Sequence, residues 1–86
     1  MDFQYSRRFV KQFGKLPVRV REKFKERLLL FEQDKFYPLL DNHKLHPPYD
    51  GCRSFDVTGD IRTVFEEVDG SVIRLIAIGT HSDLYE

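Results

Sequence analysis

Residues 61–78 read IRTVFEEVDGSVIRLIAI, and this stretch decides the fold. Its two apolar runs, 61–68 and 71–78, are separated by Asp69-Gly70, a dipeptide typical of a tight turn between antiparallel strands. The second run is rich in branched apolar residues, which predicts a central and well-buried strand. The stretch therefore predicts a β-hairpin whose second strand lies inside a sheet.

A third strand precedes the hairpin. Residues 52–57 alternate, with Arg53, Phe55 and Val57 on one face, and the turn Thr58-Gly59-Asp60 joins them to the hairpin. The three strands predict an antiparallel meander. The tail after Gly79 is expected to leave the last strand and to lie across one edge or end of the sheet.

The N-terminal part predicts one short strand and two helices. Phe3 and Tyr5 alternate with polar neighbours, as in a strand, and Ser6 is a suitable N-cap for a helix over about residues 6–13. Pro17 begins a second amphipathic helix, about 17–34, with apolar residues at helical spacing. Residues 41–50 contain Pro47-Pro48 and two histidines, and are expected to form an extended loop.

These elements predict a single α+β domain over residues 1–86, with both helices packed on one side of the meander. No run of about 18 apolar residues is present, so we expect no membrane span. The N-terminus lacks the pattern of a secretory signal. Cys52 is the only cysteine, which excludes an internal disulfide and a four-cysteine zinc site. We therefore expect a cytoplasmic protein.

The formal net charge is zero, but the charge is distributed unevenly. Residues 1–35 hold ten Lys/Arg and five Asp/Glu, a balance of +5, whereas residues 36–86 hold four and nine, a balance of −5. The second helix carries much of the excess, at Arg19, Arg21, Lys23, Lys25 and Arg27. Two interpretations remain open: a solvated helix surface, or a face that binds phosphates, with Arg21 and Lys25 as candidates.

The residue types needed for RNA cleavage by transesterification are all present. The reaction needs a base for the 2′-hydroxyl proton, an acid for the leaving 5′-oxygen and cations for the phosphorane, but no metal. Histidine suits the proton transfers, arginine suits the phosphate, and an aromatic ring can stack on an unpaired base. The candidates are His43, His46, Arg53, Asp60, Arg62, His81 and Tyr85.

Each candidate also has an ordinary structural explanation. A loop histidine such as His46 is commonly just solvated. Arg53 and Arg62 could pair with carboxylates of the acidic part, Asp60 could be a turn residue, and Tyr85 could pack the tail on the sheet. Spacing alone does not separate these explanations from a catalytic role.

Three segments resemble the RelE/YafQ toxins of bacterial type II toxin–antitoxin systems. They are residues 9–17 (FVKQFGKLP), residues 43–65 from His43-Lys44-Leu45 to Asp60-Ile61-Arg62-Thr63-Val64-Phe65, and residues 78–85 (IGTHSDLY). The match spans nearly the whole chain in the family's order. The ending Gly79-Thr80-His81 is typical of the YafQ branch.

The resemblance implies a RelE-like fold and a cytoplasmic toxin that an antitoxin protein holds in check. Such toxins enter the ribosomal A site and cut messenger RNA there, with no metal and no cofactor. His81 matches the histidine proposed for acid or base work, Asp60 an acidic site residue and His43 a loop histidine of the site. Arg62 matches the arginine used on the phosphate, Arg53 stands where a basic residue is usual, and Tyr85 matches a C-terminal aromatic residue.

The chain departs from the family pattern at three positions, and two rival functions stay open. Asp56 stands where the YafQ-like site has a second histidine, Ile61 where a tryptophan can follow the aspartate, and Ala77 where an arginine can precede the Gly-Thr-His segment. The acid/base division is therefore open, and His46 has no counterpart. One rival is a ParE-like toxin that inhibits DNA gyrase by binding, although such a toxin needs no histidine at position 81. The other is a decayed toxin that only binds its antitoxin.

Overall fold

A five-stranded sheet positions the rest of the molecule. In the computed structural model, which describes residues 1–85, the strand order is β1-β5-β4-β3-β2. The strands are β1 (Asp2–Tyr5), β2 (His43–Lys44), β3 (Arg53–Asp56), β4 (Arg62–Asp69) and β5 (Val72–Gly79). β1 runs parallel to β5, and every other neighbouring pair is antiparallel.

The predicted meander and the central position of the last strand are confirmed, and one segment differs from the expectation. His43 and Lys44 lie in a segment predicted as loop, but they pair with Ser54 and Arg53 and add a short edge strand. A segment of two residues is too short to show the alternation from which a strand is predicted. The N-terminal strand occupies the opposite edge, beside β5.

The two predicted helices are α1 (Arg7–Gly14) and α2 (Val18–Gln33). Ser6 caps α1, because its Oγ accepts a hydrogen bond from the Phe9 amide at 3.0 Å. The same Oγ donates to the Ile76 carbonyl at 2.6 Å. A single hydroxyl thus begins the helix and joins it to the central strand.

Phenylalanines dominate the core between these helices and the sheet. Phe31 of α2 packs against Phe55 and Phe65 of the sheet, with ring centroids 5.4 and 5.1 Å apart. Phe24 lies between α1 and the sheet, with its ring 5.4 Å from that of Phe9 and 6.2 Å from that of Phe55. Burial of these rings holds α1 and α2 on one face of the sheet, as predicted.

The opposite face has a smaller core built by the C-terminal tail. Leu84, from the short helix α3 (His81–Tyr85), packs with Val64, Ala77 and Tyr49. Residues two positions apart in a regular strand point to the same face, yet Leu75 and Ala77 are buried on opposite faces of the sheet. The alternation must therefore be interrupted between them. A bulge at Ile76 does this, because Val64 pairs with Ala77 whereas Phe65 pairs with Leu75.

The tail lies across one end of the sheet, as predicted. That it forms a helix, α3, was not predicted. None of the helices in residues 1–85 has the length and apolar character required to cross a bilayer.

Candidate functional site

An open cleft lies where β4 begins and β5 ends. It has a volume of about 370 Å³, and its lining residues are Gly59, Asp60, Arg62, Thr80, His81 and Ser82. Arg62 pairs directly with Gly79 across the two strands, which brings the turn before β4 next to the tail after β5. Antiparallel pairing therefore joins three of the sequence candidates, Asp60, Arg62 and His81, although 19 residues separate Arg62 from His81.

A capping box presents His81 at the start of α3. The Thr80 amide donates to Asp83 Oδ2 at 2.9 Å, and the Asp83 amide donates to Thr80 Oγ1 at 3.2 Å. Hydrogen bonds from the backbone and the side chain of Thr80 hold the pKa of the Asp83 carboxyl below its ordinary value. His81 is the first residue inside the box, and its side chain is exposed to the cleft.

Gly79 is required by the same arrangement. A Cβ atom at position 79 would lie 2.7 Å from Asp83 Cβ and 2.9 Å from its Oδ2. Contacts this short force the capping carboxylate to move. The segment Gly79-Thr80-His81 thus has a physical explanation: the glycine makes room for the carboxylate, the threonine caps the helix, and the histidine faces the cleft.

Tyr85 packs against His81 itself. The two rings are one helical turn apart, and they stack with centroids 4.7 Å apart at 29°. Tyr49 meets the Tyr85 ring edge-on at 5.3 Å, and its hydroxyl donates to the Leu84 carbonyl. Tyr85 therefore helps to pack the tail on the sheet, as one of the two explanations had it. It also borders the site, because it stacks on His81, which lines the cleft.

The side chain of Asp60 does not form the hydrogen bonds to the turn backbone that an aspartate in a turn usually forms. The Oγ1 of Thr58 accepts the amides of Asp60 and Ile61, at 3.2 and 3.0 Å, and so forms the turn. Within residues 1–85 the Asp60 carboxylate takes part in no hydrogen bond and no ion pair. Its oxygens are available to the cleft.

Arg62 lies beside Asp56, its directly opposite neighbour on β3. Arg62 Nε is 3.7 Å from Asp56 Oδ1, an ion pair without a hydrogen bond. Burial raises the pKa of the Asp56 carboxyl, with a further increase from Asp41, and the positive charges of Arg62, His43 and Arg27 oppose this shift. The position that departs from the family pattern is thus in contact with the cleft's arginine.

His43 belongs to the same sheet face but lies farther from the cleft. Its Nδ1 donates to the Asp41 carbonyl at 2.7 Å, so in the neutral ring Nε2 is the acceptor nitrogen. Ser54 Oγ is 3.4 Å from that Nε2. Across the sheet, three strand spacings of about 4.8 Å put His43 roughly 14 Å from Ala77 of β5.

The structure does not bring the remaining candidates to the cleft. Arg53 Nε donates to Asn42 Oδ1 at 2.7 Å, and its guanidinium lies 5.5 Å from the Phe36 ring centre. Strand alternation directs Arg53 to the face opposite Ser54 and Asp56. Arg21 and Lys25 are on α2, behind the sheet, where Lys25 borders an apolar groove with Tyr5. His46 is exposed in the loop after β2.

Sequence reasoning missed four residues that build the site. Thr80 and Asp83 have the spacing of a capping box, a signal that the sequence does contain. Tyr49 had no local signal, because its contact with Leu84 joins residues 35 positions apart. Asp56 was noted only as a departure from a family pattern. Among residues 1–85, no group of three or more His, Cys, Asp or Glu side chains is arranged to hold a metal ion.

The family model described as a bacterial toxin of type II toxin-antitoxin system, YafQ, matches residues 1–86. The chain belongs to the YafQ toxin family. The family predicted from the three sequence segments is therefore confirmed, and with it the assignment as a toxin of a type II toxin–antitoxin system.

Solved structures of such toxins share the fold. YafQ from E. coli strain BL21(DE3) superposes with a TM-score of 0.82 at 21% identity, over 99% of this chain and 98% of that one. YafQ in the E. coli DinJ-YafQ toxin-antitoxin complex gives 0.79 at 21% identity, over 99% and 97%. The YoeB/ParE toxin from Agrobacterium tumefaciens gives 0.77 at 18% identity, over 94% and 99%. No curated protein sequence matches the chain.

Proposed function

We propose that this YafQ-family toxin is an endoribonuclease that cleaves messenger RNA on the ribosome by metal-independent transesterification. The observation that carries the proposal is the convergence of His81, Asp60 and Arg62 on one open cleft. An imidazole, a carboxylate and a guanidinium are the groups that the reaction requires. The cleft is open to solvent, so the three side chains that line it are accessible from outside the molecule.

The reaction follows from the chemistry of these groups. The 2′-oxygen of a nucleotide attacks the adjacent phosphorus, and the bond to the 5′-oxygen of the next nucleotide breaks. One group accepts the 2′-hydroxyl proton and another protonates the departing 5′-oxygen; His81 takes one of these tasks and Asp60 the other. Arg62 stabilises the negative charge that develops on the phosphorane. The products are a 2′,3′-cyclic phosphate and a 5′-hydroxyl.

Two further residues support this centre. Tyr85 holds the His81 ring by stacking and leaves about 38% of its own surface exposed, next to the place where a base would lie. His43 is the alternative proton acceptor through Nε2, which lies 3.4 Å from Ser54 Oγ. The cleft residue Asp60 is favoured over His43, because His43 lies across two intervening strands from His81.

The partners follow from the same proposal. Ribosome-bound messenger RNA is the substrate, in the cytoplasm, and a cognate antitoxin neutralises the toxin, as the YafQ complex with DinJ and the YoeB complex with YefM suggest by analogy. Arg21 and Lys25 of α2 lie on the helix side of the sheet, away from the cleft, whereas Arg27 of the same helix reaches the Asp56 carbonyl. Arg21 and Lys25 therefore contact ribosomal RNA or an acidic antitoxin segment, whereas the scissile phosphate meets Arg62.

The test is to translate a defined message with the purified toxin and to map the 5′ ends of the fragments. Wild type should produce cuts in phase with codons, and His81→Ala should lower their yield at least 100-fold, since acid–base catalysis is typically worth factors of about 10² to 10⁴. His46→Ala is the matched control, because it removes an exposed loop histidine and should cut like wild type.

Three outcomes would contradict the proposal. Absence of cuts together with inhibition of DNA supercoiling would indicate a ParE-like gyrase inhibitor. Absence of both effects, with antitoxin binding retained, would indicate a toxin without catalytic activity. Undiminished cutting by His81→Ala would place the reaction elsewhere in the molecule.

A further inference from the structure

The Asp56 carboxylate takes part neither in the core of the fold nor in the proposed reaction. It ends β3, and its directly opposite neighbour on β4 is Arg62, so both side chains lie on the face that carries the cleft. Its backbone oxygen already accepts a hydrogen bond from Arg27 Nη1 at 3.4 Å. Its side chain takes no part in that contact.

The carboxylate has one poorly satisfied atom. Asp56 Oδ1 is buried, and among residues 1–85 no donor forms a hydrogen bond with it. The positive charge in ion-pair contact with it is Arg62 Nε, 3.7 Å away. The Arg62 side chain is 42% exposed, so its outer nitrogens remain open to the cleft while Nε faces the carboxylate.

The surroundings of Asp56 disfavour its charge. Burial and the neighbouring Asp41 carboxylate raise its pKa, and the opposing effects of Arg62, His43 and Arg27 do not cancel this increase. When the pKa of a carboxyl is higher in the folded than in the unfolded state, ionisation of that carboxyl destabilises the fold, and the cost grows as pH rises from the unfolded-state pKa through the folded-state pKa. The ionised Asp56 therefore does not serve the stability of the fold.

We infer that Asp56 is a positioning residue, which holds Arg62 at Nε so that the other guanidinium nitrogens face the scissile phosphate. A guanidinium offers five donors in a rigid plane, so fixing the Nε edge fixes the direction of the remaining donors. This inference rests on the proposed nuclease function, since it assigns the partner that orients the phosphate-binding arginine.

The decisive variant is Asp56→Asn, which removes the charge and keeps the shape. We expect about a tenfold lower rate of message cleavage at saturating ribosomes, together with a melting temperature at neutral pH equal to or above that of wild type. The ratio of the wild-type rate to the variant rate should approach one as pH falls and Asp56 becomes protonated. Asp50→Asn, the same change on an exposed loop, should match wild type in both measurements.

A double-mutant cycle separates positioning from other roles. In an Arg62→Ala background, Asp56→Asn should change the rate less than twofold, because the residue through which it acts is gone. A tenfold loss in that background would overturn the inference. An unchanged rate in the single variant, or a lower melting temperature together with the lower rate, would also overturn it, the latter because it indicates a structural role.

A measurement without catalysis distinguishes this inference from the proposed function. The heteronuclear NOE of the Arg62 Nε–Hε group reports how firmly the guanidinium is held. It should be high in the wild type and fall in Asp56→Asn, whether or not the protein cuts RNA. An equal NOE in both proteins would overturn the inference, whereas a toxin that does not cut but shows the expected difference would overturn only the nuclease function.

Discussion

At the scale of single residues, the site depends on the contact between Gly79 and Asp83. The distance from a Cβ at position 79 to Asp83 Cβ would be 2.7 Å, and strand β5 and helix α3 both fix the backbone there. The carboxylate would have to leave its place over Gly79. The bond from the Thr80 amide would then be lost, and with it the orientation of His81.

Gly79→Ala should therefore cost both stability and cleavage. Losing a cap costs about 1 kcal/mol, which lowers the melting temperature of a domain this size by roughly 4–8 °C. Cleavage should fall by about tenfold or more, because α3 carries His81. The measurements are thermal unfolding and fragment yield. Gly70→Ala is the matched control, since a Cβ there meets no atom within 4 Å; equal behaviour of the two variants would contradict this explanation.

The individual site residues differ in how far sequence could predict them. His81, Asp60 and Arg62 could be proposed from family order, and antiparallel pairing of β4 with β5 explains why they meet. Arg53 was proposed by the same reasoning but faces the other side of the sheet, because β3 alternates and its neighbours Ser54 and Asp56 take the cleft side.

At the scale of secondary-structure elements, strong periodicity allowed correct prediction and short segments did not. The apolar runs of β4, β5 and α2 are long enough to show their period, and their predicted bounds lie within two residues of those observed. β2 has two residues and α3 has five, so neither completes a readable pattern. Both depend on tertiary contacts: β2 on pairing with β3, and α3 on packing over Val64 and Ala77.

Because Arg21 and Lys25 of α2 lie behind the sheet, away from the cleft, their effect on binding can be tested separately from the cleavage reaction. Lys25 is exposed on the face away from the cleft, so Lys25→Glu reverses a surface charge with little effect on packing. Arg21 is half-buried, so Arg21→Glu also disturbs the contacts of its side chain. The double reversal should weaken binding to the ribosome or to the antitoxin by about tenfold, as expected when phosphate or carboxylate partners are repelled.

Saturating ribosomes should restore the cleavage rate of this double variant, since Arg62 and His81 are untouched. Binding to the ribosome and to the antitoxin is measured directly, with circular dichroism to verify folding. Unchanged affinity for both partners would show that the basic residues of α2 are only a solvated surface.

At the scale of the whole molecule, the zero net charge conceals an uneven distribution of charge along the chain. Residues 1–35, which include α1 and α2, carry the basic excess, and the cleft is lined by one acidic and one basic side chain, Asp60 and Arg62. Two basic residues of the helices reach beyond them: Arg8 donates to the Asp83 carbonyl of α3, and Arg27 donates to the Asp56 carbonyl. A toxin of this kind cannot rely on bulk charge to capture free RNA. It is expected to recognise a site already formed by the ribosome, with shape and the local charge of Arg62 contributing.

The chemistry of the fragment ends tests the central claim most directly. Ribosome-bound message is treated with the toxin in the presence of a metal chelator that leaves the ribosome intact, and the 3′ ends of the upstream fragments are identified by mass spectrometry. Transesterification at the His81–Asp60–Arg62 cleft predicts 2′,3′-cyclic phosphate ends from wild type and none from His81→Ala. Fragments ending in a 3′-hydroxyl, or cyclic phosphate ends that persist undiminished in His81→Ala, would contradict the account.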